Sequence, residues 1–314
     1  MIKNLTVPQK LGIIQKRLGL TQTKLAQRFG VSFAAFNSWW TGKSNPRPKA
    51  LAAIEELFLE ITGQKIIPAE QLHAKKNDLA QKSSRHKRVI SEILGNPDIR
   101  DQFILKLTYH SNRIEGSTLS EPDTAAILFD NAALPDKSLM EQLEAKNHQT
   151  ALNFVFDHTA KGDPISEQFI LKLHGVLMNG ITPDAGSYRS HGVRITGVDV
   201  TTSNYAKVPD VMQSVAAEAS KKSSDMIKST AAVHSRFEKI HPFSDGNGRV
   251  GRLLIHAMLL RANLAPAVIR VEQKQLYNTY LYKSQTKGDL SQLEDFLCDT
   301  VADGFRILER VDVR

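Results

Sequence analysis

Twelve consecutive residues, His241-Pro242-Phe243-Ser244-Asp245-Gly246-Asn247-Gly248-Arg249-Val250-Gly251-Arg252, put an imidazole, a carboxylate, glycines and two guanidiniums into one short stretch. Gly246 and Gly248 let backbone N–H groups turn inward as a nest for an anion. Arg249 and Arg252, three residues apart, add full positive charges near one helical face. Asp245 beside them would repel a phosphate unless a cation stood between. A Mg²⁺ bridging Asp245 and phosphate oxygens resolves that conflict. His241 can take a proton near neutral pH. A base, a metal-binding carboxylate and an anion nest are together what transfer of a phosphate-containing group to a hydroxyl requires.

Flanking elements must hold these groups in place. Ala232, Val233, Phe237 and Ile240 mark an amphipathic helix that Pro242 ends, and a strongly apolar helix begins at Leu253. The loop therefore feeds a helix N-terminus, whose partial positive charge adds to the nest. Two competing motifs fail. Gly246 to Gly251 fits GxGxxG, with Glu272 at roughly the right distance, but a dinucleotide fingerprint must follow a buried strand, and here it follows a helix broken by proline. Gly42-Lys43-Ser44 lacks the first glycine of a phosphate loop, since Asn37 occupies that position.

The twelve residues resemble the signature of the Fic family, HPFx(D/E)GNGRxGR, at every specified position. The resemblance extends more loosely over roughly residues 98–305. It implies a mainly α-helical bundle with a small β-hairpin flap. It also implies transfer of AMP from ATP to a Ser, Thr or Tyr hydroxyl of a target protein. Carried over, His241 is the base and Asp245 binds Mg²⁺. Gly246, Asn247 and Gly248 cradle the phosphates, and Arg249 and Arg252 meet the outer ones. Gly248 and Arg252 favour AMP transfer over the phosphate transfer of the Doc-like branch, which carries Lys at the first position and lacks the final Arg.

Val193-Arg194-Ile195-Thr196-Gly197-Val198-Asp199-Val200 is the clearest strand-like stretch, with β-branched residues at alternating positions. It resembles the family's flap, whose edge pairs with an extended target segment, so Val193, Arg194, Ile195 and Thr196 join the candidate residues. Ser111-Asn112-Arg113-Ile114-Glu115-Gly116 resembles the inhibitory motif (S/T)xxxE(G/N), on a helix expected over about 102–116. The resemblance pairs Glu115 with Arg252, cancelling the charge that awaits the outer phosphate. The same Glu115 could instead direct a water that removes AMP. Tyr277 and Tyr280 either line the adenine pocket or pack between helices. His174, His234 and His256 lie in apolar helical contexts and read as structural.

The 314 residues are 41% apolar and 24% charged, an ordinary globular balance with room for two domains. The net charge of +8 is uneven: residues 1–93 hold 16 Lys and Arg against 6 Asp and Glu, while the remainder is close to neutral. A basic segment on a neutral body suggests a nucleic-acid partner. In residues 8–60, Leu11, Ile14 and Leu18 mark one helix, Thr21 caps a second, and Gly30-Val31-Ser32 turns into a third. Leu20 to Ser32, with Trp39 and Gly42-Lys43, resembles the Cro/repressor-type helix-turn-helix family. That resemblance places Ser32, Phe33, Ala34 and Asn37 nearest the bases, with Lys24, Arg28, Lys43, Arg47 and Lys49 on phosphates. The third helix holds no Lys or Arg and is rich in Phe and Trp, so it can equally pack against a protein. One copy per chain reads a palindrome tightly only as a homodimer.

Three segments follow: a helix-turn-helix domain over 1–62, a basic and partly helical linker over 63–97, and a Fic-type domain over 98–314. A lone cysteine, Cys298, excludes an internal disulfide and a CxxC zinc site. Without a secretory or membrane-spanning pattern, the expected location is the cytoplasm. A second functional reading is a DNA-binding regulator whose Fic-type body only senses nucleotide.

Overall fold

The computed structural model describes residues 5–195 and 200–309. Every regular element among them is helical, and none of the helices is long and apolar enough to cross a membrane.

Four helices form the N-terminal unit: α1 (Val7–Leu18), α2 (Gln22–Arg28), α3 (Phe33–Trp40) and α4 (Pro48–Ile61). The starts follow the sequence. Thr21 Oγ1 accepts from Lys24 N, and Ser32 Oγ accepts from Ala35 N, each at 3.3 Å. Gly30 takes φ +66° in the turn between α2 and α3, where a Cβ would be strained. Leu11, Ile14, Leu25, Phe36, Trp39, Ile54 and Phe58 close a core of their own.

The stretch expected as a linker is part of the larger unit. Residues 69–84 form α5 (Ala69–Ser84), 89–95 form α6 (Val89–Gly95), and Leu79, Val89, Ile90 and Ile93 enter the main core. Some of its basic residues face an acidic helix, while Arg85, Lys87 and Arg88 are exposed. With α15 (Ser291–Glu309), Lys75 pairs with Asp295 at 2.7 Å and Asp299 at 2.8 Å, and Lys76 pairs with Glu294 at 2.5 Å. Lys75 and Lys76, part of the charge pattern that suggested a tether, complement α15.

The larger unit continues as α7 (Pro97–Glu115), α8 (Glu121–Phe129), α9 (Leu139–Lys161), α10 (Glu167–Leu177), α11 (Val208–Ser220), α12 (Met226–Ile240), α13 (Asn247–Arg261) and α14 (Lys274–Lys287). Helix α13 is the axis: nearly every residue from Asn247 to Leu260 is buried, enclosed by α7, α9, α10 and α12. Its apolar residues from Leu253 to Leu260 are buried on every side, and its buried Arg249 and Arg252 are paired with carboxylates of α9 and α7. Its N-terminus is thus held rigidly at the end of a cleft.

The expected β-hairpin flap is absent from the described residues. Residues 188–195 and 200–204 contain no strand, and Thr196 lies outside the described residues. Among the described residues the two limbs are tied by a side chain, Thr202 Oγ1 donating to the Val193 carbonyl at 2.9 Å. Alternating β-branched residues make a strand only where a partner edge supplies hydrogen bonds.

Helix α14 joins the two units. Leu276 packs on the N-terminal core, and Thr279 Oγ1 reaches the Ile61 carbonyl at 3.4 Å.

Candidate active site

The loop between α12 and α13 opens into a cleft of about 570 Å³ lined by, among others, Glu115, Arg194, Ile195, His241, Asp245 and Arg252. His241 ends α12 in the left-handed region at φ +53°, its N–H still bonded to the Phe237 carbonyl at 2.9 Å. A non-glycine residue there is held by its surroundings. The imidazole Nδ1 lies 3.2 Å from the Glu238 carbonyl, which can only accept, so Nδ1 carries the proton and Nε2 is the free base. Burial is the main cause of a lowered His241 pKa. The ring is therefore neutral, and able to accept a proton, at pH 7.

Asn247 closes the loop on itself, its Oδ1 accepting from Phe243 N and its Nδ2 donating to Phe243 O, both at 2.9 Å. Its side chain is spent on the loop, and only its place at the start of α13 faces the cradle. Gly246 sits at φ +77°, and a Cβ there would stand 2.7 Å from Met178 Sδ. A Cβ on Gly248 would stand 2.4 Å from Glu115 Oε1. Gly246 is required by its left-handed backbone conformation, whereas at Gly248 it is the Glu115 carboxylate that a side chain would push against.

His174 buttresses the loop from α10. Its Nδ1 accepts from Gly186 N at 2.9 Å, so its Nε2 carries the proton donated to the Asp245 carbonyl at 3.2 Å. Its ring stacks on Phe243 with centroids 3.7 Å apart. Burial pushes its pKa down to about 4, so it stays neutral and works by orientation.

The two arginines divide. Arg252 is 3% exposed, and its Nη2 meets Glu115 Oε1 at 2.6 Å while its Nε meets Ser111 Oγ at 2.9 Å. Helix α7 thus delivers both groups of the SxxxE pattern to one guanidinium. Burial works against ionisation of Glu115, yet the Arg252 charge wins and holds the carboxyl below its ordinary pKa. Arg249 is turned the other way. Its Nη1 is bonded to Glu144 of α9 at 2.6 Å, its Nη2 stands 3.7 Å from Asp245, and it does not line the cleft. The expectation set both arginines on the outer phosphates; in this structure each is engaged by a carboxylate, Arg249 by Glu144 of α9 and Arg252 by Glu115 of α7.

Asp245 has a side chain 59% exposed, with Oδ1 accepting from Gly246 N at 2.6 Å. Among the described residues no cluster of three or more His, Cys, Asp or Glu is placed to hold a metal. A lone exposed carboxylate at the mouth of an anion nest still fits Mg²⁺, which takes one or two carboxylates and completes its shell with phosphate oxygens and water.

Of the aromatic candidates, Tyr277 lines the cleft and bonds His234 Nε2 at 2.6 Å. Tyr280 does not reach the cleft; its ring packs edge-on to Phe296 at 6.0 Å, so the packing alternative holds for it. Arg194 and Ile195 line the cleft, whereas Val193 only offers its carbonyl to Thr202. Glu144, Ser111, His174, Glu238 and Arg189 were not singled out as site residues. Ser111 belongs to the (S/T)xxxE(G/N) pattern already noted; the others act across a long sequence separation, or through the backbone, and leave no local signature.

A helical bundle whose helix–loop–helix aims a neutral imidazole, an anion nest and a carboxylate-held arginine into one cleft has the groups an anionic ligand would need. Residues 164–259 match the Fic/DOC family. The chain is 32% identical over 185 residues to a protein adenylyltransferase Fic of Nematostella vectensis, covering 58% of this chain and 43% of the relative. It is 31% identical over 197 residues to protein adenylyltransferase fic-1 of Caenorhabditis elegans, covering 61% and 38%. The chain thus spans about two fifths of the length of these curated relatives. A Fic domain containing signaling protein from Bacteroides thetaiotaomicron superposes with TM-score 0.64 at 25% identity, over 75% of this chain and 98% of that one. Fic-1 (residues 134–508) of C. elegans superposes with TM-score 0.67 at 21% identity, over 98% and 89%, a likeness of fold.

Proposed function

We propose that this protein is a self-inhibited protein adenylyltransferase that moves AMP from ATP to a hydroxyl of a target protein. The observation that carries the reading is the shared cleft: the unprotonated Nε2 of His241 at one wall, and Arg252 held by Glu115 at the other. The N-terminal end of α13, with Gly246 and Gly248, receives the phosphates. His241 takes the proton of the acceptor hydroxyl. The oxygen attacks the α-phosphorus, the bond from that phosphorus to the α–β bridging oxygen breaks, and pyrophosphate leaves. Arg252 is the charge for the outer phosphates once Glu115 releases it. Asp245 is the residue that would hold Mg²⁺, which when bound supplies positive charge to the phosphate oxygens. Arg194 and Ile195, at the cleft edge, are the positions where an extended target segment would lie.

Incubation of the Glu115→Gly protein with ATP labelled at the α or the γ position tests this. Label from α-ATP alone should enter protein, and His241→Ala should abolish it. Label from the γ position would mean phosphate transfer. Release of AMP from modified protein by wild type, lost in Glu115→Gly, would mean that removal is the dominant activity.

The N-terminal unit carries a second, compatible proposal, DNA binding. Phe33, Ala34 and Asn37 are exposed on α3, with Ser32 at its cap. Lys24, Arg28, Lys43, Arg47 and Lys49 are exposed, and no carboxylate pairs with them in the described structure. Unpaired cations around an exposed helix face suit a phosphate backbone. On this reading a dimer would be needed for a palindromic site. DNA affinity that responds to ATP, with no label transferred even by Glu115→Gly, would favour the nucleotide-sensing regulator instead.

A further inference from the structure

Arg189 is a guanidinium buried to 3% exposure, and among the described residues no carboxylate pairs with it. An unpaired buried charge is costly unless its donors are satisfied. Here backbone carbonyls satisfy them. Nε donates to His241 O at 2.7 Å, Nη1 to His191 O at 2.6 Å, and Nη2 to Ser203 O at 2.5 Å and to Ile240 O at 3.3 Å. The Arg189 backbone N–H adds a bond to Pro242 O at 3.0 Å. The acceptors belong to two different parts of the molecule. Ile240, His241 and Pro242 are the C-terminal end of α12, where carbonyls point outward and a cation is favoured. His191 and Ser203 are the limbs that lead into and out of the stretch containing Arg194 and Ile195.

We propose that Arg189 is a positioning residue that sets the distance between the target-holding limbs and the His241 base. One planar fork bonds both at once, so neither can shift without breaking a bond to the other. Nothing else in the described residues joins His191 or Ser203 to the catalytic loop by a hydrogen bond. The left-handed His241 backbone is held from the same point, so the ring direction and the limb position share one anchor. Lysine cannot replace this arrangement, because a point charge with no planar fork cannot reach four carbonyls spread around it. The role also has an electrostatic mark: the Arg189 charge is one of the groups that, after burial, disfavour protonation of His241. The other charged and titratable neighbours of that ring are Glu115 on α7, Asp245 on the loop, and Glu238 on its own helix.

The inference rests on the adenylyltransferase reading, and its test separates the two. Arg189→Lys and Arg189→Met are made in the Glu115→Gly protein. The Lys variant should lose at least tenfold in label transfer, while its Kd for ATP stays within twofold of the parent. In the Met variant the His241 imidazole, followed by NMR, should titrate at a higher pH than in the parent, and in the Lys variant closer to it. Trypsin cleavage after Arg194 should accelerate in both. Transfer at the parental rate, an unmoved His241 titration in Arg189→Met, or an equal loss of ATP binding and transfer would overturn the assignment; the last would mean a structural role only. If the Glu115→Gly parent itself transfers no label, the activity reading fails. The His241 titration and the Arg194 cleavage then still decide the role of Arg189.

Discussion

Arg252 of α13 and Glu115 of α7 stand 2.6 Å apart across 137 residues of sequence, and the contact occupies the guanidinium that nucleotide phosphates would need. Arg252 is almost wholly enclosed, while the Glu115 side chain is 39% exposed toward the cleft. The partner that can leave is therefore the carboxylate. Replacing it leaves the enclosed guanidinium without its carboxylate, with Nε and Nη2 still donating to Ser111 Oγ and O, so an incoming phosphate would supply the missing countercharge. Glu115→Gly is expected to tighten ATP binding roughly tenfold, equal to about 1.4 kcal/mol. Calorimetric titration checks this, and an unchanged affinity would contradict it.

A neutral His241 sets the pH dependence. Its pKa lies below the usual histidine value, chiefly through burial, so the base is deprotonated at pH 7. Transfer by the Glu115→Gly protein should rise with pH through an apparent pKa below 6.5 and be flat from there to neutrality. An acid limb centred above 7 would refute the assignment of His241 as base.

Glu238 makes a stability prediction. Its Oε1 is buried without a partner, and a Cβ on Gly251 would stand 2.3 Å from it. Burial raises its pKa to about 8, so the folded protein keeps a proton that the unfolded chain releases above roughly pH 4.5. The penalty is absent below that pH, grows as pH rises to 8, and is constant above. Glu238→Gln removes it, so the stability gain of the variant over wild type should widen across that window, to more than about 1 kcal/mol. Gly251→Ala should cost about 1–3 kcal/mol through overpacking. Denaturant unfolding at pH 5 and pH 8.5 measures both.

The basic face of the N-terminal unit predicts a salt-dependent partner. Lys43→Ala and Arg47→Ala should each weaken duplex DNA binding evenly across sequences and reduce the salt slope by about 1. Asn37→Ala should instead relax sequence preference, by about 1–3 kcal/mol at the affected base. Fluorescence anisotropy at two salt concentrations distinguishes these effects; binding unaffected by any of the three would exclude this face.

The chemistry of residues 241–252 was legible because its groups are neighbours in the chain, and a helix–loop–helix needs only local periodicity to be seen. Glu115 was legible through spacing on one helix. Arg189, Glu144 and His174 were not, since each acquires its role from a contact more than 50 residues away. The segment over 63–97 is less tether-like than its composition for a physical reason: Lys75 and Lys76 face acidic α15, and four apolar residues at irregular spacing anchor it in the main core. The flap expectation rests on residues 193–200, of which 196–199 lie outside the described residues.

The most direct measurement is a crystal structure of the Glu115→Gly protein soaked with a non-hydrolysable ATP analogue and Mg²⁺. The account predicts the triphosphate on the α13 N-terminus, its outer phosphate on Arg252, and its α-phosphorus facing the space before His241 Nε2. Phosphates bound elsewhere, or an imidazole turned away from them, would contradict it.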